Sequence, residues 1–281
     1  MKKKAVVLMS GTGSNAEALL EYSRNNDCSF EISAIFTDRP DRCRAAEIGR
    51  NFNVEVLSCD IFEYYRNHGE KGIALINERR NHLRDQWTLE VEKVIDNAGY
   101  RPDFLLLAGF EPLCNITGDF VCLNVHPGDL TVERNGKRFL NGLALKPIEL
   151  AILEEFPCLK SSVIIAQPYT GKDEDVDSGP ILGISLPMPT DLMGHTLDEL
   201  RAADAARPVK RPKGHTDILH EVADHNQDLL KKCGDHVIFP RVADDYAKGL
   251  FEFRSNRIFY KSNPVKTVEY SPDGVRLIAE D

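Results

Sequence analysis

The sequence has little of what a membrane-bound, disulfide-stapled or nucleic-acid-binding chain needs. None of its apolar runs approaches the roughly 18 consecutive residues of a membrane span. Its N-terminus, MKKKAVVLMSGTGSN, has the basic start of a secretory leader. The apolar run that follows covers residues 5–9 alone, too short for a leader's core, so an early first strand is expected. Seven cysteines are scattered at 28, 43, 59, 114, 122, 158 and 233; they form no C-x-x-C and are odd in number. That pattern excludes a disulfide framework and predicts a reduced, cytoplasmic setting. Positive charge is in deficit, 35 Lys and Arg against 44 Asp and Glu, and the net charge of −9 lacks the basic field that nucleic acid demands. A local cationic pocket for one phosphate is compatible with that deficit. There is no internal repeat and no low-complexity tract.

What is present is a globular balance, 42% hydrophobic and 28% charged, enough for a core of ordinary size in one large domain or two small ones. Short apolar runs predict strands at 5–9, 30–37, 54–57, 104–108 and 121–125. Helices are predicted at 15–24 and 42–51, and over much of 61–99, where Trp87, Leu89, Val91, Val94 and Ile95 suggest an apolar stripe. This alternation indicates an α/β fold: a Rossmann-like, mostly parallel sheet flanked by helices. Further on, strands are expected at 161–167 and 181–186, and helices at 147–155, 196–206 and 216–232. The last two are joined by a solvated link, RPVKRPKG. Strands at 251–261 and 266–278 read as a C-terminal β extension (251–281) packed on an α/β domain (1–250).

VVLMSGTGSNAEALL places a glycine-rich turn between a strand and a helix. The N–H groups of such a turn, and of the helix N-terminus behind it, favour an anion. Gly11 and Gly13 allow close approach, and Ser14 or Asn15 suits a cap. Three readings stand on this stretch alone. G-x-G-x-x-A with Asp38 closing the next strand fits a dinucleotide. A smaller phosphate ester fits as well, and so does a tight turn that holds nothing.

FVCLNVHPGDL puts Asn124 and His126 two residues apart at the C-terminal end of a buried strand, where an open parallel sheet binds ligands. DEDVDSGPILG places Asp177 in a loop before the next strand. Asn, His and Asp together suit acyl transfer to an amine. The amide donates to an oxyanion, the imidazole moves a proton, and the carboxylate orients the imidazole. The plainer alternatives are a hydrogen-bonded Asn/His pair and a turn aspartate. Asp173, Glu174 and Asp175 read as a solvated acidic loop. His215, His220 and His225 lie five apart, poor spacing for shared ligation on a helix, and no metal is expected.

LMSGTGSNAEALL, RPDFLLLAGFEPL, CLNVHPGDL and VDSGPILGISLPM, in that order, resemble the successive motifs of the folate-dependent formyltransferases, closest to their phosphoribosylglycinamide branch. The likeness covers most of 5–187 and resumes at KKCGDHVIFPRVADDYAKG. It implies formyl transfer from 10-formyltetrahydrofolate, as co-substrate, to a primary amine of a phosphorylated small molecule. Glycinamide ribonucleotide of purine biosynthesis is the leading acceptor. The resemblance casts Asn124, His126 and Asp177 as catalytic. It places the acceptor's phosphate on Gly11, Thr12, Gly13, Ser14 and Asn15, with Lys232 and Asp235 facing phosphate and ribose. The folate would lie against Leu107, Ala108, Gly109, Phe110, Glu111, Leu113, Val176 and Ser178. Small-molecule partners, a monomer or homodimer, and no metal complete the expectation.

The sequence departs from that pattern in five places. GDLTVERNGKRFLNGLALKPIEL replaces a Ser-Leu-Leu-Pro run, and Ile164 stands where the family carries a histidine. YTGKDED lengthens the loop before Asp177, and stretches near 66–83 and 191–215 look inserted. Other readings are an amino-sugar-nucleotide formyltransferase, a 10-formyltetrahydrofolate hydrolase, a nicotinamide-dependent dehydrogenase and a non-catalytic nucleotide-binding protein.

Overall fold

All four residues of Phe104–Leu107 are buried, which a strand allows only when both faces of its sheet are covered. The computed structural model describes residues 1–169, 176–208, 214, 216–255 and 257–279. Strands β1 (Lys3–Met9), β2 (Phe30–Thr37), β3 (Glu55–Ser58), β4 (Phe104–Leu107) and β5 (Cys122–His126) are parallel and lie in the order β3-β2-β1-β4-β5. The winding reverses between β1 and β4, which opens a crevice beyond their C-terminal ends. Next to β5 lies the antiparallel strand Ser162–Ile165, then Ile181–Ser185, Thr267–Ser271 and Gly274–Ile278, giving nine strands in all.

Helices α1 (Ser14–Ser23), α2 (Ala45–Phe52), α3 (Ile61–Asn67) and α4 (Glu78–Asn97) occupy the first half. Alternation along β1 divides the core. Ala5, Val7 and Met9 pack with Leu19, Ile48 and Phe239 on one face, and Val6 and Leu8 pack with Trp87 and Val91 on the other. The α4 stripe is Leu83, Trp87, Val91 and Ile95, four apart. Leu89, expected in the stripe, is 54% exposed, because two residues carry it about 200° round the helix from Trp87. Helices α5 (Lys146–Leu153), α6 (Leu197–Ala205) and α7 (Ile218–Leu230) build a separate core around Ile148, Leu200, Leu219 and Val222. Arg207 ties it together with paired bonds to Glu149 and Asp217. Helix α6 lies within the stretch near 191–215 and opens on a Thr196–Glu199 capping box.

A wide turn, Lys231–Asp235, joins α7 to α8 (His236–Ala247). The C-terminal segment holds more strands than the pattern suggested. Phe251–Arg254, Arg257–Tyr260 and Asn263–Val265 form a small antiparallel sheet, and Thr267–Ser271 then enters the central sheet beside Ile181–Ser185. The Tyr260 and Tyr270 hydroxyls both donate to Asp245 on α8, at 2.8 Å each, fixing these strands to the helix layer. Asp173, Glu174, Asp175, His215 and residues 209–213 of the RPVKRPKG link lie outside the described residues. No described helix is long and apolar enough to cross a membrane.

Glu92 on α4 faces Asp119, which follows the short turn Asn115–Gly118. Burial, and then the neighbouring carboxylate, push its carboxyl up to about 7. The folded protein therefore holds this proton more tightly than the unfolded chain, and stability falls as pH rises from the ordinary carboxyl range to about 7. Glu92→Gln is expected to melt a few degrees above the parent at pH 8 and level with it at pH 4, as thermal denaturation at the two pH values will show.

Candidate active site

Period-two alternation sends Leu123 and Val125 of β5 into one core and turns Asn124 and His126 to the opposite face. The antiparallel partner sets Ile164 opposite Asn124 and Ser162 opposite His126, and β4 sets Leu107 beside Asn124. Ser162 fixes the turn that follows: its Oγ donates to Gly128 O at 2.7 Å and accepts from Leu130 N at 3.0 Å. Ile164 is buried with Leu130, Ile181 and Ile184, so the wall where the family carries histidine is apolar here.

His126 is only 3% exposed and is held from both sides. Its Nε2 donates to Leu140 O at 2.8 Å, and its Nδ1 lies 3.3 Å from Asp177 Oδ2. Two acceptors thus face the two ring nitrogens. Asp177 takes a left-handed backbone conformation (φ 58°), and its Oδ2 also accepts from Gly142 N at 3.1 Å. The turn leaves no room for a side chain at position 128. A Cβ there would stand 2.5 Å from Leu140 O and 2.8 Å from His126 Nε2. Asn124 is half-buried, and its amide has no hydrogen-bond partner among the described residues.

The glycine-rich turn lies two strands away along the same edge, about 10 Å at the usual strand spacing. Gly13 caps α1 with φ 76°, and a Cβ there would meet Ile48 Cδ1 at 2.4 Å. Gly11 and Thr12 lead into that cap, and the first N–H groups of the helix, from Ser14 and Asn15 onward, have no intrahelical acceptor. The Asn15 side chain turns inward. Its Nδ2 donates to Asp235 Oδ2 at 3.1 Å, and its Oδ1 is buried without a partner among the described residues. Asp235 is 4% exposed and also accepts from Ser161 Oγ at 2.5 Å; burial pushes its carboxyl up. The structure therefore brings Asp235 to the glycine turn through Asn15, with its carboxylate inside the protein. Lys232, on the same wide turn, is exposed and has no ion-pair partner among the described residues.

The segment after β4 follows the crevice. Leu107 and Ala108 are buried, Gly109 is exposed with φ 73°, and Gly109 O accepts from Ser10 N at 3.1 Å. Phe110 stacks on Trp87, with centroids 6.3 Å apart, and Leu113 O accepts from the buried Arg84 at 2.6 Å. Arg84 also reaches Ile73 O at 2.6 Å, so it joins the 66–83 stretch to this wall. Glu111 is exposed and pairs with Arg39 at 2.5 Å. Val176 is half-buried and Ser178 exposed, on either side of Asp177. Asp38, the acid a dinucleotide would use, is fully buried. It accepts from Ser10 Oγ at 2.5 Å and its Oδ2 lies 3.4 Å from Arg39 Nε, so neither oxygen is exposed to a ribose there.

Sequence reasoning missed Arg138, Leu140, Gly128 and Ser162. One signal was available: Asn135-Gly136, both with positive φ, form the turn of a small hairpin between Glu133–Arg134 and Lys137–Arg138. The carbonyl of Leu140 carries no signal in its side chain. Among the described residues no group of three or more His, Cys, Asp or Glu is placed to hold a metal ion.

No protein-family model and no curated protein matches the chain. Among solved structures it is similar to the phosphoribosylglycinamide formyltransferase of Coxiella burnetii, at 18% identity over 96% of this chain and 100% of that one, with a TM-score of 0.62. It is also similar to glycinamide ribonucleotide transformylase 1 of Symbiobacterium toebii, at 20% identity over 92% and 94%, with a TM-score of 0.59. A formyltetrahydrofolate deformylase of Pseudomonas putida KT2440 matches at 13% identity over 92% and 70%, with a TM-score of 0.52. At these identities the likeness speaks for architecture: the chain has the Rossmann-like fold of these formyltransferases.

Proposed function

We propose that this protein transfers a formyl group from 10-formyltetrahydrofolate to a primary amine of a phosphorylated small molecule, with glycinamide ribonucleotide the leading acceptor. The observation that carries the reading is the buried pair of His126 Nδ1 and Asp177 Oδ2, 3.3 Å apart, with Asn124 on the same strand face. In this mechanism the amine nitrogen attacks the formyl carbon and the carbonyl electrons move onto oxygen. Asn124 Nδ2 donates to that oxygen. The His126 ring, oriented by Asp177, supplies the second donor; as the oxyanion collapses and the formyl C–N bond to the folate breaks, the ring gives its Nε2 proton to the departing nitrogen and then takes the proton that the attacking amine sheds. Leu140 O already occupies the acceptor position on Nε2, so the formyl oxygen replaces one acceptor with another. The acceptor's phosphate would rest on residues Gly11 to Asn15, about 10 Å along the edge. Leu107 and the segment to Leu113 would take the folate ring.

His126→Ala and Asp177→Asn are each expected to lower kcat by about 100-fold or more in an assay that follows tetrahydrofolate release. Folded variants that turn over at the parent rate would remove the mechanism. Lys232→Ala is expected to raise KM for the ribonucleotide about tenfold and leave that for the folate unchanged. An unchanged KM points to another acceptor, such as an amino-sugar nucleotide. The Pseudomonas deformylase favours one second reading, hydrolysis of the same folate. Formate released at full rate without any amine would establish it.

A further inference from the structure

Arg138 ends the small hairpin that replaces the family's Ser-Leu-Leu-Pro run, and its guanidinium reaches across to the loop that carries Asp177. One Nη donates to Asp177 O, and the other donates to Gly179 O at 2.6 Å. Gly179 is itself pressed onto the sheet, since a Cβ there would fall 1.7 Å from Ile165 O. Between these two anchors Asp177 holds its left-handed φ, a conformation that a non-glycine residue keeps only when its surroundings impose it. That conformation aims the carboxylate at His126. The same strap continues past Arg138: two residues on, Leu140 O caps His126 Nε2, and two further, Gly142 N bonds Asp177 Oδ2. One short segment therefore touches both members of the pair, and Arg138 is its charged fastening. Burial works against the guanidinium, and the Asp177 carboxylate favours it.

We propose that Arg138 is a positioning residue: it clamps the 177–179 loop, sets the Asp177 carboxylate on His126 and so fixes the orientation of the ring. The proposal rests on the formyl-transfer reading for its kinetic consequence and on geometry alone for its structural one. Substrates need not touch Arg138. The clamp is bidentate, so lysine replaces it only in part.

The test uses the full chain with Arg138→Met and Arg138→Lys and takes two readouts. Steady-state kinetics with 10-formyltetrahydrofolate and glycinamide ribonucleotide are expected to show kcat lowered about 100-fold in Arg138→Met, the scale of a misplaced group. Both KM values should stay within about twofold, since neither substrate loses a contact. Proton–nitrogen NMR of the His126 ring in the substrate-free protein is expected to show both ring resonances displaced, with Arg138→Lys between the two extremes. Ring resonances that stay in place, or a raised KM at unchanged kcat, overturn the proposal. If Arg138→Met does not fold, Arg138→Lys decides: unchanged ring resonances and unchanged kcat overturn it. If the parent protein transfers no formyl group, the functional reading fails, and the ring spectra still decide the clamp.

Discussion

Strands β1, β4 and β5 are covered on both faces, and this constraint shapes the rest of the molecule. Along these strands a polar side chain has no solvent to face, so polarity collects where the strands stop. Ser10 follows β1, Asp38 follows β2, and Asn124 and His126 close β5. The reversal of winding between β1 and β4 then separates the connecting loops and leaves a crevice at that edge. Chemistry is confined there by the same hydrophobic burial that stabilises the sheet.

Burial also sets the terms on which the charged groups exist. An isolated charge in such a place costs several kcal/mol, so each buried polar group has to find a partner. His126 finds Leu140 O and Asp177. Asp177 finds Gly142 N, and Asp235 finds Asn15 and Ser161. Many of these partners are backbone atoms or small hydroxyls, so the network is carried by chain geometry more than by conspicuous side chains. Asn15 Oδ1, buried without a hydrogen-bond partner among the described residues, sits at the glycine turn, the part of the edge where an anion is expected.

The strands were legible because burial on both faces writes itself as an uninterrupted apolar run, as in FLLL at Phe104–Leu107. Asn124 and His126 could be placed together because two residues on a strand must share a face. What could not be read was whatever depends on tertiary contact. The α4 stripe was misjudged at Leu89 because Leu and Val crowd both sides of that helix. Asp235 was placed toward the phosphate and ribose only by resemblance, and nothing in its local pattern shows its bond to Asn15, 220 residues away in the chain. Leu140 acts through a carbonyl that every residue possesses, and Arg138 through a reach of about 40 residues that no local pattern encodes.

Thr267–Ser271 pairs with Ile181–Ser185, the strand that begins just after Asp177. Gly183 has no side chain because Val242 and Tyr270 fill the space, so α8 and the late strand fit against the same point. On a ribosome, the first five strands emerge and can pair long before either partner exists. Ile181–Ser185 can then pair with Ser162–Ile165 on one side, while its other edge stays open until the late strand arrives. Pairing across so long a separation must await near-complete synthesis. The outer edge of the strand that follows Asp177 is thus closed only by residues about 85 positions further along the chain.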